Sequence, residues 1–162
     1  MPEQQIANTP YPVIDTDPTF SRVVRSFRLS DYAAWGASIA AFPGGLMFLE
    51  RLNPMNTAKS MTPALRVATL LGFCGGFLLA YQRTSLRYWG WTENEREATQ
   101  YRKDMEQLAR EGKSEHDGAM LSEHMQTMAA GNSQYSALRF DALPWFNFSK
   151  HKYHGQNGEH YR

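Results

Sequence analysis

Two long apolar stretches set what this chain can fold into. The first runs from Tyr32 to Leu49. It holds no charge and is bracketed by Asp31 and Glu50. A helix of about eighteen residues reaches about 27 Å, just enough for a hydrocarbon core of about 30 Å. The second runs from Pro63 to Gln82. Pro63 suits the first helical position, with Thr62 before it as N-cap. Arg66 falls in the first turn, where its stem can snorkel toward the headgroups.

Helices of this length also occur buried in soluble proteins, but three features favour lipid. Small residues recur at helical spacing: Gly36, Ala40 and Gly44 form one stripe of the first span, and Gly72 and Gly76 give the second a G-x-x-x-G pair. In lipid, close backbone approach through such residues supplies the helix contact, between these spans or against a partner. Amphipathic aromatics gather at the ends: Tyr32 and Trp35 at one, Tyr81, Tyr88, Trp89 and Trp91 at another. The connection from Glu50 to Thr62 is short, with Asn53-Pro54 as a turn signal. Pro43 should kink the first span. The expected fold class is an all-α membrane protein built on a two-span transmembrane helical hairpin, with spans about 32–49 and 63–82.

The mean hydropathy, −0.55, is that of a soluble protein and hides this split. The expected organisation is three parts. Residues 1–30 are an extended segment plus a short basic amphipathic helix, 31–82 the hairpin, and 83–162 peripheral helices and an aromatic-rich tail. A formal net charge of +1 gives no argument for nucleic acid. The single cysteine, Cys74, reads as a small apolar filler in the second span. Glu3, Asp15 and Asp17 all precede the first arginine, Arg22, so a cleavable targeting segment is not expected.

Positive charge sets orientation. Arg22, Arg25 and Arg28 precede the first span, and Arg83 and Arg87 follow the second. The loop carries Arg51 and Lys59, with Arg66 at its edge. Both termini should therefore share the positively biased side.

Residues 1–17 are polar and proline-punctuated, and they read as extended and ordered only by a partner. Asp17-Pro18 then signals a helix with Phe20, Val23, Val24 and Phe27 on one face and Arg22, Arg25 and Arg28 on another. These arginines, with Arg83 and Arg87, are candidates for contacting an anionic lipid such as cardiolipin. The plainer alternative is that they set topology or meet a partner's acids. After the second span, Thr92 and Glu95 have capping-box spacing, and the helix they open should end near Gly112. Ser114 and Asp117 signal another helix, stopping at Gly131. The tail is dense in aromatics on an irregular stretch containing Pro144. Trp145, Phe146 and Phe148 read as anchors for the pockets of a partner.

No catalytic, cofactor-binding or metal-binding residue is assigned. The five histidines lie outside the spans, so an intramembrane haem ligand is missing. His151 and His154 lack a third ligand nearby in sequence. No dinucleotide fingerprint, P-loop or nucleophile elbow is present. Neither span carries a central acid or base that would mark an ion path. Asn147-Phe148-Ser149 matches a glycosylation sequon, a pattern that is often accidental.

Several ordered segments resemble one family. They are Tyr-Pro-Val-Ile-Asp at 11–15, Phe20 to Arg25, Ala-Phe-Pro-Gly-Gly at 41–45, and Leu71 to Arg83. Then come Arg87-Tyr88-Trp89-Gly90-Trp91, Asn132 to Leu138 and Pro144 to Phe148. Together they are similar to the fungal 21 kDa accessory subunit of mitochondrial NADH:ubiquinone oxidoreductase, respiratory complex I. The resemblance covers about Tyr11 to Gly155, and Gln156 to Arg162 match no pattern.

The resemblance implies the mitochondrial inner membrane, in which the positively biased side that should hold both termini is the matrix. It also implies other membrane-arm subunits as partners and a role in assembly or stability without cofactors. The rival readings are a small transporter or translocase component and a redox anchor. The lack of polar residues lining the spans opposes the first, and the lack of intramembrane histidine opposes the second.

Overall fold

The computed structural model describes residues 8–54, 58–113, 121–138 and 144–151. The described residues form five α-helices, a short 3₁₀ turn and no strand. The helices are α1 (Phe20–Arg25), α2 (Leu29–Leu52), α3 (Ala58–Tyr88), α4 (Glu95–Arg110) and α5 (Glu123–Ser133), and the turn is Ser136–Leu138. The described residues are all-helical in their regular structure, and α2 and α3 are both long and apolar enough to cross a membrane. The chain divides into two compact units. One is Phe27–Arg83. The other joins Met1–Ser26 to Thr84–Arg162.

The first unit is α2 paired with α3 as far as Arg83. Both helices are longer than the apolar stretches alone required. α3 begins at Ala58, so Pro63 lies inside the helix rather than at its first position. It forfeits a backbone bond little more than one turn beyond the start. The helices meet through the glycines of α3. A Cβ placed at Gly72 would lie 2.6 Å from the Ser38 carbonyl oxygen, and one at Gly76 would lie 2.8 Å from both the Ser38 Cβ and the Trp35 ring. Only hydrogen at these two positions lets the backbones approach so closely. Trp35 also serves the helix pair. Its indole N–H donates to the Phe73 carbonyl at 2.8 Å, and its ring packs on Phe73 and Phe77. The hydroxyls of Ser38 and Thr69 donate to carbonyls of their own helices, those of Ala34 and Leu65.

Asp31 and Arg83 join the two helices electrostatically. The Asp31 carboxylate is buried, accepts the Arg28 backbone N–H at 2.8 Å, and lies 3.4 Å from the Arg83 Nε. The outer faces of the pair are apolar and exposed: Met47, Phe48 and Leu49 on α2, and Val67, Leu70 and Leu71 on α3. Water makes such continuous apolar faces a liability, whereas acyl chains or a partner would cover them.

Gly76→Leu forces the helices apart and should cost about 1–3 kcal/mol of resistance to denaturant in the detergent-solubilised full chain. Gly36→Leu is the control, because a Cβ at Gly36 meets nothing within 4 Å. Equal sensitivity at both positions would contradict this pairing.

The second unit is organised by the segment from Tyr11 to Asp17. The expectation that these residues need a partner for order does not hold: Val13 to Asp17 are buried by their own chain. The reason is backbone satisfaction in a segment too irregular to bond itself. The Tyr11 N–H donates to the Gly90 carbonyl at 3.1 Å, and the Ile14 and Asp15 N–H groups share the Tyr88 carbonyl. The Thr16 carbonyl accepts from the Trp89 indole at 3.0 Å and from the Tyr135 N–H at 2.9 Å. Gly90 has φ +76°, and a Cβ there would collide with the Tyr11 carbonyl oxygen.

The peripheral helices also differ at their starts. α4 opens at Glu95 behind Asn94, not through a Thr92 capping box. Asn94 is occupied elsewhere: its amide donates to the carbonyls of Pro12 and Arg87 at 2.8 and 2.7 Å. α5 opens at Glu123, with the Ser122 hydroxyl accepting from the Met125 N–H. It continues two residues past Gly131. The Ser114–Asp117 signal lies outside the described residues.

Candidate functional site

The aromatic tail is the part of the second unit that presents chemistry outward. Pro144 is buried and the backbone from 144 to 151 is irregular, as a proline-interrupted segment must be. Hydrogen bonds to its backbone and to Asn147 help to hold it. The Trp145 N–H donates to the Ser136 carbonyl at 3.2 Å, the Phe20 N–H donates to the Asn147 carbonyl at 2.7 Å, and the Asn147 amide donates to the Asp17 carbonyl at 2.9 Å. Asn147 is buried, so the sequon nitrogen is already committed to the fold.

With the backbone fixed this way, the three predicted anchors divide. Phe146 packs edge-on against Phe20 at 5.3 Å, and one side of the Phe148 ring lies tilted on the same Phe20 at 5.1 Å. Trp145 and Phe148 remain 54% and 73% exposed. They line an open cavity of ≈ 420 Å³ together with Ala129, Asn132 and Ser149. Two large aromatic rings facing outward beside an open cavity are suited to seating apolar side chains of another molecule.

Beneath the tail lies a buried polar cluster that the sequence did not reveal. His151 Nε2 is 2.6 Å from Asp17 Oδ2. Ser133 Oγ donates to the same oxygen at 3.0 Å and lies 3.1 Å from His151 Nε2. All three side chains are buried. A nucleophilic triad uses one imidazole nitrogen on the carboxylate and the other on the hydroxyl. Here a single nitrogen faces both groups, so the ring cannot relay a proton between them. The arrangement ties the Tyr11–Asp17 segment, the end of α5 and the tail together. His154, the second histidine of the pair considered for metal, lies outside the described residues. Among the described residues no group of three or more His, Cys, Asp or Glu could hold a metal ion.

The five arginines considered for lipid do not form one set. Arg25 is exposed on α1. Arg22 is half-buried, with its guanidinium 4.8 Å over the Tyr101 ring. Arg28 is the residue before α2, and Arg83 is half exposed beside Asp31. Arg87 must be removed from the lipid candidates. It is buried, its Nε is 3.0 Å from Glu97 Oε1, and its Nη2 donates to Thr84 Oγ1 at 2.8 Å. A guanidinium enclosed by a carboxylate of the next helix has no face left for a headgroup. The small-residue stripes divide as well. Gly72 and Gly76 face α2, whereas Gly36, Ala40 and Gly44 lie on exposed positions of α2.

The two halves of the chain also carry two sequence signatures. A family model described as NADH-ubiquinone oxidoreductase complex I, 21 kDa subunit, matches residues 8–93, more than half of the chain. The chain belongs to this family. A second model, the C-terminal of NADH-ubiquinone oxidoreductase 21 kDa subunit, matches residues 101–162. Residues 156–162, which matched no pattern by resemblance, therefore lie inside the family's extent. The NADH-ubiquinone oxidoreductase 20.9 kDa subunit of Neurospora crassa is 44% identical over 149 residues, covering 91% of this chain and 79% of that protein. The cluster of Asp17, Ser133 and His151 joins residues from the stretches matched by both complex I 21 kDa subunit models.

Proposed function

We propose that this chain is a non-catalytic accessory subunit of respiratory complex I in the mitochondrial inner membrane, where it supports assembly and stability of the membrane arm. The observation that carries this reading is 44% identity across 91% of the chain to a named complex I subunit. The physical form of the chain supports it. Two apolar helices expose faces that water does not favour, and Trp145 and Phe148 stand out as partner anchors. The histidine, serine and aspartate that meet do so in a buried, structural geometry. The partners are other membrane-arm subunits, met by the tail aromatics and by the Gly36, Ala40 and Gly44 face of α2. Phospholipids, cardiolipin among them, meet Arg22, Arg25, Arg28 and Arg83.

The positive-charge bias supports a matrix-side position for both termini. Protease added to mitoplasts should then leave a C-terminal tag intact, and rapid loss of the tag would reverse the orientation. Deleting the gene should lower the amount of assembled membrane arm. A normal amount of active complex in the complete absence of the protein would overturn the assembly role.

A further inference from the structure

The outward side of α4 carries chemistry that neither the tail nor the apolar helices use. One side of the helix turns inward: Glu97 is buried, and Tyr101, Met105 and Leu108 are half-buried. Glu97 is held by Arg87, and the Arg22 guanidinium covers the Tyr101 ring. The opposite side is exposed. It carries Arg96, Lys103 and Arg110, each seven positions from the next. At about 100° per residue the three fall within an arc of about 40°, and at about 1.5 Å of rise they stand about 10 Å apart along the helix.

Charge on this side is unbalanced. The exposed charged residues of α4 are Glu95, Arg96, Arg102, Lys103, Glu106 and Arg110, four cations to two carboxylates. Asp104 is half-buried and accepts the Gln100 amide at 2.8 Å. Among the described residues no carboxylate pairs with Arg96, Lys103 or Arg110, whereas Arg83 and Arg87 each have one. Glu106 lies one turn from both Lys103 and Arg110 in sequence and still pairs with neither.

A helix that lies on a bilayer sinks its apolar face among the headgroups and sets its cations beside them. In α4 the apolar side is turned against its own chain, so the row of cations lacks that partner face. Cations every seven residues match the flank of a second helix, where carboxylates at the same spacing meet them along the whole length.

We propose that Arg96, Lys103 and Arg110 form a docking row for an acidic helix of a neighbouring subunit, one that carries Asp or Glu at seven-residue spacing. This rests on the accessory-subunit reading, which supplies the neighbour, and it adds a charged surface to the apolar ones. Exposed ion pairs contribute little one by one. The row sets the register of the partner and excludes wrong ones, because like charges brought face to face are strongly disfavoured.

The test begins with the wild-type chain in purified complex I, treated with a carbodiimide that joins a lysine amine to a carboxylate in direct contact. Peptide mapping should find Lys103 joined to an acidic helix of another subunit. Arg96→Glu, Lys103→Glu and Arg110→Glu made together should then lower the fraction retained in the gently solubilised complex by about tenfold or more. Lysines placed at the crosslinked carboxylates of the partner should restore it. The crosslink is read on the wild-type chain, so it decides even where the reversed variant does not fold. Lys103 joined only to carboxylates of its own chain, or to none, would overturn the docking row. So would full retention of the reversed variant. Loss of retention without a crosslink to another subunit would give the row to anionic lipid headgroups instead and overturn it too. Absence of the wild-type chain from the purified complex would overturn the accessory-subunit reading, and its presence with any of these contrary results would overturn the docking row alone.

Discussion

Arg87→Ala should destabilise the full-length chain by about 3–5 kcal/mol, because it strands a buried carboxylate. Glu97 is as enclosed as Arg87, and their contact at 3.0 Å ties the end of α3 to α4. The same change removes the donor to Thr84 Oγ1. Measured by denaturant titration in detergent, the single variant should lose most of its resistance. Replacing both partners together, Arg87→Met with Glu97→Leu, should recover much of it, since two apolar side chains of similar volume need no counter-charge. If Arg87→Ala stays within about 0.5 kcal/mol of the wild type, as an ordinary surface change does, Arg87 is not buried in an ion pair. It would then return to the lipid candidates.

Trp145→Ala combined with Phe148→Ala should act in the opposite way, sparing the isolated chain and weakening its place in the complex. Both rings are largely exposed, and although Phe148 touches Phe20 at 5.1 Å and Phe146 at 6.2 Å, the Phe20–Phe146 contact at 5.3 Å remains when it is removed. At a protein interface, each anchor of this kind can contribute about 2–4 kcal/mol. Even at the lower limit the pair would reduce retention in gently solubilised complex I by about a hundredfold or more. The measurement is the fraction of the double variant that co-purifies with the assembled complex, beside its thermal stability alone. Full retention would mean that the tail aromatics are not anchors. Loss of retention together with loss of fold would mean that they are structural.

The parts of this protein that were legible in the sequence are those whose order is local. α2 and α3 follow from uninterrupted apolar composition, and α4 from its polar and apolar alternation at helical spacing. What composition left open was which small-residue stripe faces a neighbour. Gly36-Ala40-Gly44 and Gly72-Gly76 carry the same signal, and only the large side chains opposite them decide. In the structure Trp35, Ser38 and Phe42 take the α3 glycines, and the α2 glycines are left outside.

The second unit was illegible for a different reason. Its order comes from single contacts between residues far apart in sequence: 73 positions from Trp89 to Thr16, 116 from Ser133 to Asp17 and 130 from Asn147 to Asp17. A polar, proline-rich segment such as 11–17 carries no periodicity, so nothing local distinguishes a buried strap from a loose end. Arg87 shows the same limit. Beside Arg83 it looks like a second flanking cation, and only Glu97 on the following helix reveals its burial.

The most direct test of the accessory-subunit claim is co-migration. The protein is tagged at its N-terminus, mitochondria are solubilised gently, and native gels are stained in place for NADH dehydrogenase activity. The tag should travel with the large active band. A tag found only in a small species, apart from that band, would mean that the chain is not a subunit of the complex.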